Sequence, residues 1–369
     1  MRIVHITDID LNAKGGGMNT VILEVIRRQI ISFPDEEIVL YSVNKAQSDN
    51  NIGKIPIVFK DEVGLKYLDK TDLVVFHSVY NLKFIPIYHY LKKINKKYII
   101  VSHGSLSKVA LRKGVVKKMI FRYLFLDRFI RDARRICFTT KGEQQNSICI
   151  QKPFIIIPNP INKPILKPVI DKKITKPLKI VYISKIDYYY KGLDILINAL
   201  KKLNEDSEVE INIYGYGQSK DIDVNNIPNN EKDVKRLLSE IKDIKVKTQF
   251  HGPIFGEEKY SILRNSDIYI LTSRSEAMPL SITEALSLGV PCIVSNGTNM
   301  SEMIEENNAG WKCNLEANDV YEVIVKALSL YHANPLKYRA GAFALYKRLE
   351  DFDIGSSSIM EYKNIININ

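Results

Sequence analysis

Residues 268–294 read IYILTSRSEAMPLSITEALSLGVPCIV. Ile268–Leu271 is a short apolar run, Leu280–Leu288 carries apolar residues at helical spacing, and Cys292–Val294 is a second short apolar run. Strand, helix and strand in that order, joined by short loops, make a unit of a parallel sheet. Pro279 fits the first helical position, where its missing N–H costs nothing. Glu276 then falls in the loop before the helix and Glu284 inside it, while the unpaired N–H groups near Leu280 and Ser281 form an anion site. Each acid also has a plain structural reading: Glu276 complements the helix dipole by ~0.3–1 kcal/mol, and Glu284 lies on the surface.

The same alternation extends in both directions. Towards the N-terminus of this stretch lie runs at Lys179–Ile183, Val209–Tyr214 and Val246–Phe250, with a helix over Gly192–Leu203, and a last short strand follows near Gly310–Lys312. An earlier series comprises Ile3–Ile6, Ile38–Tyr41, Ile55–Phe59, Leu73–Phe76, Tyr98–Val101, Ile136–Phe138 and Phe154–Ile157. Between the two series Pro158, Pro160, Pro164, Pro168 and Pro177 interrupt all periodicity, as a linker does. The reading is α/β with two doubly wound domains: residues 1–165, with a C-terminal helix within 353–369 packing back on them, and residues 166–352. Facing one another across a cleft, such domains bind ligands in the loops at the carboxyl ends of their strands.

Composition narrows the function classes. The chain has 369 residues, 45% hydrophobic and 26% charged, which excludes a disordered or collagen-like chain. No apolar run approaches the ~20 residues of a membrane span, and MRIVHITDID carries acids where a signal peptide is apolar, so a cytoplasmic protein is expected. Cys137, Cys149, Cys292 and Cys313 form no C-x-x-C pair, and neither a zinc site nor a redox motif is indicated. The formal net charge is +11. Fourteen Lys or Arg stand between Lys92 and Arg135 against Asp127 and Asp132 alone, so one patch holds the whole surplus. A uniformly basic nucleic-acid coat is disfavoured.

Three more segments carry candidate chemistry. Gly15-Gly16-Gly17, before a helix starting near Met18, lets a backbone approach a phosphate, although it is neither a P-loop nor a G-x-G-x-x-G fingerprint. His103 follows the strand Tyr98–Val101; a histidine bonded locally to backbone is the plain alternative. Lys185 and Lys191, at a strand end and a helix start, can converge on a diphosphate, and the Tyr188-Tyr189-Tyr190 run between them offers rings for stacking; an ordinary solvated loop is the alternative.

Together these residues resemble the retaining glycosyltransferases of family 4, with the GT-B fold, over nearly the whole chain. Glu276 and Glu284 reproduce an E-x7-E element followed by Ala285-Leu286-Ser287-Leu288-Gly289-Val290-Pro291-Cys292. Lys185 and Lys191-Gly192 match the basic pair, Gly15–Gly17 and His103-Gly104 the first-domain loops, and Gly215-Tyr216-Gly217 and Phe250–Ile254 the G-x-G turn and base-facing loop. The resemblance implies a UDP- or GDP-sugar donor with Lys185 and Lys191 on the diphosphate, Glu284 on the ribose, Glu276 and His103 by the donor sugar, and Gly16, Gly17, Gly215, Ile254, Met278, Pro279 and Leu280 around the nucleotide. It also implies a glycan or lipid-linked acceptor, surface-polysaccharide synthesis, and no cofactor or metal. Ser184 in place of glycine, Lys185 in place of arginine, and Asn159-Pro160 in place of Asn-Gly depart from the pattern.

A nucleotide-sugar 2-epimerase of the same fold and a nucleic-acid-binding protein are the competing readings. The E-x7-E segment with its basic pair argues against the first, and the lack of recognition motifs against the second. Finally, Lys108–Arg135 reads as a helix whose Val109, Val116, Ile120 and Leu124 pack on a core while Lys113, Lys117, Lys118 and Arg122 face an anionic surface, the inner face of the membrane; a solvated helix with an excess of lysine and arginine is the plain alternative.

Overall fold

The computed structural model describes residues 1–8, 17–44, 51–52, 54–112, 119–148, 151–161, 163–220, 227–352 and 354–367. Two units emerge: Met1–Pro160 with Phe352–Asn369, and Ile161–Asp351. The first boundary thus falls a few residues before the 165/166 division read from the prolines.

The first unit holds strands β1 (Arg2–Thr7), β2 (Glu37–Ser42), β3 (Asn51–Ile52), β4 (Ile55–Phe59), β5 (Leu73–His77), β6 (Tyr98–Val101), β7 (Ile136–Phe138) and β8 (Phe154–Ile156). Their order is β3-β4-β2-β1-β5-β6-β7-β8, parallel except where β3 pairs with β4. Because side chains alternate along a strand, Ile3, Leu73, Val75, Ile99 and Val101 form one core with Ile22 and Ile26 of helix Gly17–Ser32 and Ile359, Tyr362 and Ile365 of helix Ile354–Asn367. Val4, Ile6, Val74, Phe76 and Ile100 form the other with Phe84, Ile87, Phe125 and Phe129. Gly355 is what lets the C-terminal helix come so close: a Cβ there would stand 2.5 Å from Ser32 Oγ and 2.7 Å from the Arg28 carbonyl.

The helix expected over residues 108–135 is not one even rod. Lys108–Arg112 is helical, Arg122–Leu126 is a π-turn, and Asp127–Asp132 continues as α-helix. The stripe that reaches the core is aromatic, Phe121, Phe125 and Phe129, with successive ring centroids 5.2 and 5.0 Å apart. These larger rings win the buried face. Ile120 and Leu124, expected inside, are 55% and 66% exposed, beside Met119 and Tyr123 at 64% and 83%.

The second unit carries β9 (Leu178–Ile183), β10 (Val209–Tyr214), β11 (Thr248–Phe250), β12 (Ile268–Leu271), β13 (Cys292–Ser295) and β14 (Gly310–Cys313), in the all-parallel order β11-β10-β9-β12-β13-β14. Helices Leu193–Leu200 and Leu280–Ser287 bury apolar faces against this sheet in one continuous core.

The proline-rich stretch is strapped to the second unit. Val169 N–H donates to the Leu288 carbonyl (3.2 Å), and Lys172 Nζ to the carbonyls of Asn265 (2.7 Å) and Ser266 (3.1 Å) and to Asp267 Oδ1 (2.7 Å). The fully buried Arg339 donates through Nε to the Val169 carbonyl and through Nη1 to the Ser266 carbonyl (3.3 Å) and Tyr331 Oη (3.1 Å). Buried acceptors left without a donor cost about 1–3 kcal/mol each. Arg339→Leu is therefore expected to lower the midpoint of thermal unfolding by several °C, measured by calorimetry; an unchanged midpoint would show that the strap contributes nothing.

Candidate functional site

In the second sheet, β9 has β10 on one side and β12 on the other, so the chain's winding reverses between β9 and β12. Loops at the carboxyl ends of strands flanking such a switch point form the ligand crevice of doubly wound sheets. The loop after β9 and the loop after β12 meet backbone to backbone: a Cβ on Gly192, whose φ is +62°, would stand 2.1 Å from the Thr272 carbonyl oxygen. Thr272 Oγ1 donates to the Gly192 carbonyl (3.0 Å).

Side chains extend that contact. Lys191 Nζ lies 2.5 Å from Glu276 Oε1, which also accepts from Ser273 Oγ (2.7 Å). The Glu276 backbone is held by its N–H to the Gly297 carbonyl (2.9 Å) and its carbonyl to Asn299 Nδ2 (2.6 Å). Arg274 grips Asp194 with two bonds (2.7 and 2.6 Å) and donates to the carbonyls of Tyr188 and Tyr189 (3.0 Å each). Lys185 is exposed and has no carboxylate partner among the described residues. The tyrosine run is divided: Tyr188 is buried under Arg236, 3.9 Å above its ring, and donates to Glu240 Oε2 (2.8 Å), so it offers no stacking face. Tyr189 and Tyr190 remain partly exposed.

Helix Leu280–Ser287 starts one residue later than the sequence suggested, because Pro279 sits at the N-cap with ψ 124° and no side chain caps the helix. Met278 and Pro279 are buried there, and Leu280 is half-buried. Glu284, deeper in the helix, is half-buried and meets Lys259 Nζ at 2.5 Å. Burial pushes its carboxyl above the usual range even against that lysine. Ile254 turns its side chain into the core. Gly215 and Gly217 are required by close approach: a Cβ on the first would meet the Ser184 carbonyl at 2.0 Å, and one on the second Glu231 Oε2 at 1.9 Å. Glu231 accepts from the Gln218 N–H (2.8 Å) and the Ser219 N–H (2.6 Å), fixing the turn.

In the first unit the switch point lies between β1 and β5. His103 follows β6 with φ +47°, a left-handed conformation that few non-glycine residues adopt. Glu143 clamps its loop, accepting from the Gly104 N–H (2.6 Å) and from Thr139 N–H (2.6 Å) and Oγ1 (2.7 Å). His103 Nε2 lies 2.8 Å from His77 Nδ1, and His77 Nε2 lies 2.9 Å from His5 Nδ1. Burial lowers His5 and His103 to about 4, and lowers His77 further below its ordinary value with both neighbouring rings adding to the shift. No group of His, Cys, Asp and Glu able to hold a metal ion occurs among the described residues. Gly16 lies outside the described residues, and Gly17 opens helix Gly17–Ser32, exposed. Lys113, Lys117 and Lys118 also lie outside them; Arg122, half-exposed, donates to Asp127 Oδ1 (2.9 Å).

Sequence reasoning missed Lys259, Arg274, Asp194, Glu231, Glu143, His5 and His77. Only the two histidines carried a usable signal, since they stand at inward-facing positions of apolar strands, where a polar ring needs a partner.

Residues 167–340 match the family model described as glycosyl transferases group 1. An uncharacterised glycosyltransferase of Haemophilus influenzae is 25% identical over 339 residues, 90% of this chain and 86% of that protein. A UDP-Gal:alpha-D-GlcNAc-diphosphoundecaprenol alpha-1,3-galactosyltransferase of Escherichia coli is 33% identical over 98 residues, 24% of this chain and 25% of that one. Among solved structures, Anabaena HepE in complex with UDP superposes with a TM-score of 0.73 at 16% identity, covering 99% of this chain and 100% of that one. The fold is GT-B, built of two Rossmann-like units, and the second unit carries the match to the group 1 glycosyl transferases.

Proposed function

We propose that the protein is a retaining, metal-independent glycosyltransferase that moves a sugar from a UDP- or GDP-sugar to a hydroxyl of a glycan or lipid-linked acceptor in surface-polysaccharide synthesis. The observation that carries this reading is the second unit's switch point. There Lys185, which has no carboxylate partner among the described residues, the Lys191–Glu276 pair and the uncapped start of helix Leu280–Ser287 gather at the carboxyl ends of β9 and β12. The match of this unit to group 1 glycosyl transferases and the printed activity of the E. coli relative support it.

In this reading Lys185, Lys191 and the helix start stabilise the diphosphate as it gains charge on leaving, the task that fixed cations and dipoles perform best in a partly dry site. Glu284 accepts from ribose hydroxyls and Glu276 contacts the donor sugar, while His103, at the switch point of the first unit, offers its ring to a sugar hydroxyl. With Glu284 assigned to the ribose, the reading assigns no second carboxylate as a nucleophile. The acceptor hydroxyl then attacks on the face the diphosphate leaves, and the departing phosphate takes its proton.

The exposed Met119, Ile120, Tyr123 and Leu124, set among Arg122, Arg128 and Arg131, have the composition of an interfacial anchor. No helix among the described residues is long and apolar enough to cross a membrane. The protein is placed in this reading at the cytoplasmic face of the membrane, where a lipid-linked acceptor is within reach.

Glu284→Ala is expected to weaken nucleoside diphosphate about tenfold or more, since charge-assisted hydrogen bonds contribute ~1.5–3 kcal/mol each. Isothermal titration measures this, and full affinity in the folded variant removes Glu284 from the site. Lys185→Ala should weaken nucleoside diphosphate more than monophosphate, whereas equal losses contradict its place on the second phosphate. Activity that vanishes with EDTA and returns with a divalent ion would overturn the metal-free mechanism.

Sedimentation with liposomes tests the surface. Binding should require anionic lipid, weaken at high salt, and fall when Ile120 and Leu124 become Glu or when Lys113, Lys117, Lys118 and Arg122 become Glu. Equal binding to neutral vesicles would rule out the basic contribution.

A further inference from the structure

His5, His77 and His103 stand on three adjacent strands or the loop after one, β1, β5 and β6, and cross the switch point of the first sheet. The chain does not stop at His5. His5 Nε2 lies 2.9 Å from Gln29 Oε1, Gln29 Nε2 donates to Ser358 Oγ (2.8 Å), and Ser358 Oγ donates to the Gly355 carbonyl (3.1 Å). Gln29 belongs to helix Gly17–Ser32 and Ser358 to the C-terminal helix; both are fully buried.

The direction of every bond follows from its far end. The Ser358 hydroxyl hydrogen is committed to the Gly355 carbonyl, so its oxygen accepts, and what it accepts from must be the amide nitrogen of Gln29. That orients the Gln29 carbonyl oxygen towards His5, which must donate from Nε2. A neutral imidazole carries one N–H, so His5 Nδ1 is an acceptor and His77 donates to it from Nε2. By the same step His77 Nδ1 accepts from His103 Nε2–H. Burial keeps the three rings neutral, as the counting requires. The rings bond in line, stacked with centroids 5.2 and 5.1 Å apart, and do not converge on a point as metal ligands would. The nitrogen left over is His103 Nδ1, a lone pair with no protein donor among the described residues, on a half-buried side chain at the carboxyl edge of the sheet.

We propose that the buried chain Ser358–Gln29–His5–His77 is a positioning device that fixes His103 as its Nε2–H tautomer, so that Nδ1 accepts a hydrogen bond from a substrate hydroxyl. The ligand chemistry is thereby selected. A sugar hydroxyl can donate to that nitrogen; a phosphate oxygen or a metal-bound carboxylate has nothing to donate. Gln29, His5, His77 and Ser358 touch no substrate and act through His103. The identity of the hydroxyl as a sugar's rests on the function proposed above, whereas the tautomer does not.

Long-range 1H–15N correlation spectra of the intact chain with 15N-labelled histidine read the tautomers directly, assigned by single His→Gln variants. At neutral pH the expected result is a protonated Nε2 and an unprotonated Nδ1 in all three rings. A protonated Nδ1 in His103 would reverse the chain and overturn the proposal, whatever the enzyme's activity. Ser358→Ala removes only the hydroxyl that orients Gln29, and Gln29→Leu removes the acceptor; each should move His103 to a mixture of tautomers, and an unchanged spectrum would reduce the chain to packing. With donor turnover as the second readout, both variants should lose about tenfold in kcat, the size of one neutral hydrogen bond, with nucleoside diphosphate affinity unchanged. The expected spectra without turnover of any UDP- or GDP-sugar would leave the device standing and sink the function.

Discussion

The contact between the Gly192 α-carbon and the Thr272 carbonyl sets the geometry of the second unit's switch point. No side chain fits between the two backbones, and the left-handed φ of Gly192 is one that glycine adopts without strain. Because the loops touch there, Lys191 reaches Glu276 and Arg274 reaches Asp194 across the gap between β9 and β12. A larger residue at position 192 would part the loops and separate both pairs at once. The ion pairs are consequences of that fit; half-buried pairs of this kind contribute little by themselves unless their geometry is fixed beforehand.

The two units fix polar groups at their switch points by different means. The second uses charge: cations and carboxylates paired across neighbouring loops, partly in solvent. The first uses neutral rings in a dry core, where an unpaired polar atom is costly and each ring must therefore find its neighbour. This makes the C-terminal helix part of the site's construction, since Ser358 supplies the end that gives the histidine chain its direction. Gly355, three residues earlier, is what brings that helix close enough.

Much of the fold was legible because period-two and helical patterns report directly on burial. Strands Ile55–Phe59, Tyr98–Val101, Ile136–Phe138, Val209–Tyr214 and Ile268–Leu271 were bounded to the residue. The segment from 119 to 132 was misread because two apolar stripes compete on it, and periodicity does not weigh Phe125 and Phe129 against Ile120 and Leu124; ring area does. Within the site, Glu276 and Lys191 were visible as residues but not as partners. Lys259 and Arg274 were invisible, since an ion pair between residues 25 or 80 positions apart leaves no spacing to read; Glu231 was invisible because a carboxylate that accepts from the backbone of another loop leaves no pattern either. The histidines at 5 and 77 could have been noticed from parity: on β1 and β5 the odd positions share a face, so 5 and 77 fall on the same side of the sheet, whereas His103, in the loop after β6, lies beyond the reach of strand parity.

The Lys191–Glu276 pair also bears on how a diphosphate would be bound and released under the proposed function. An anion arriving at the switch point meets Lys185 with no carboxylate competitor among the described residues, but at Lys191 it competes with a carboxylate 2.5 Å away that Ser273 holds in place. Net attraction from Lys191 is reduced by what it gives up to Glu276, while Lys185 and the helix start contribute in full. The balance favours the moment of greatest charge: as the leaving diphosphate gains negative charge its pull on Lys191 grows, whereas that of Glu276 does not. An interaction that strengthens as charge develops lowers a barrier, and one that is equally strong throughout does not. Under the proposed function, pairing the lysine with Glu276 therefore directs its effect towards the transition state and, once the diphosphate departs, gives the ammonium a partner to return to.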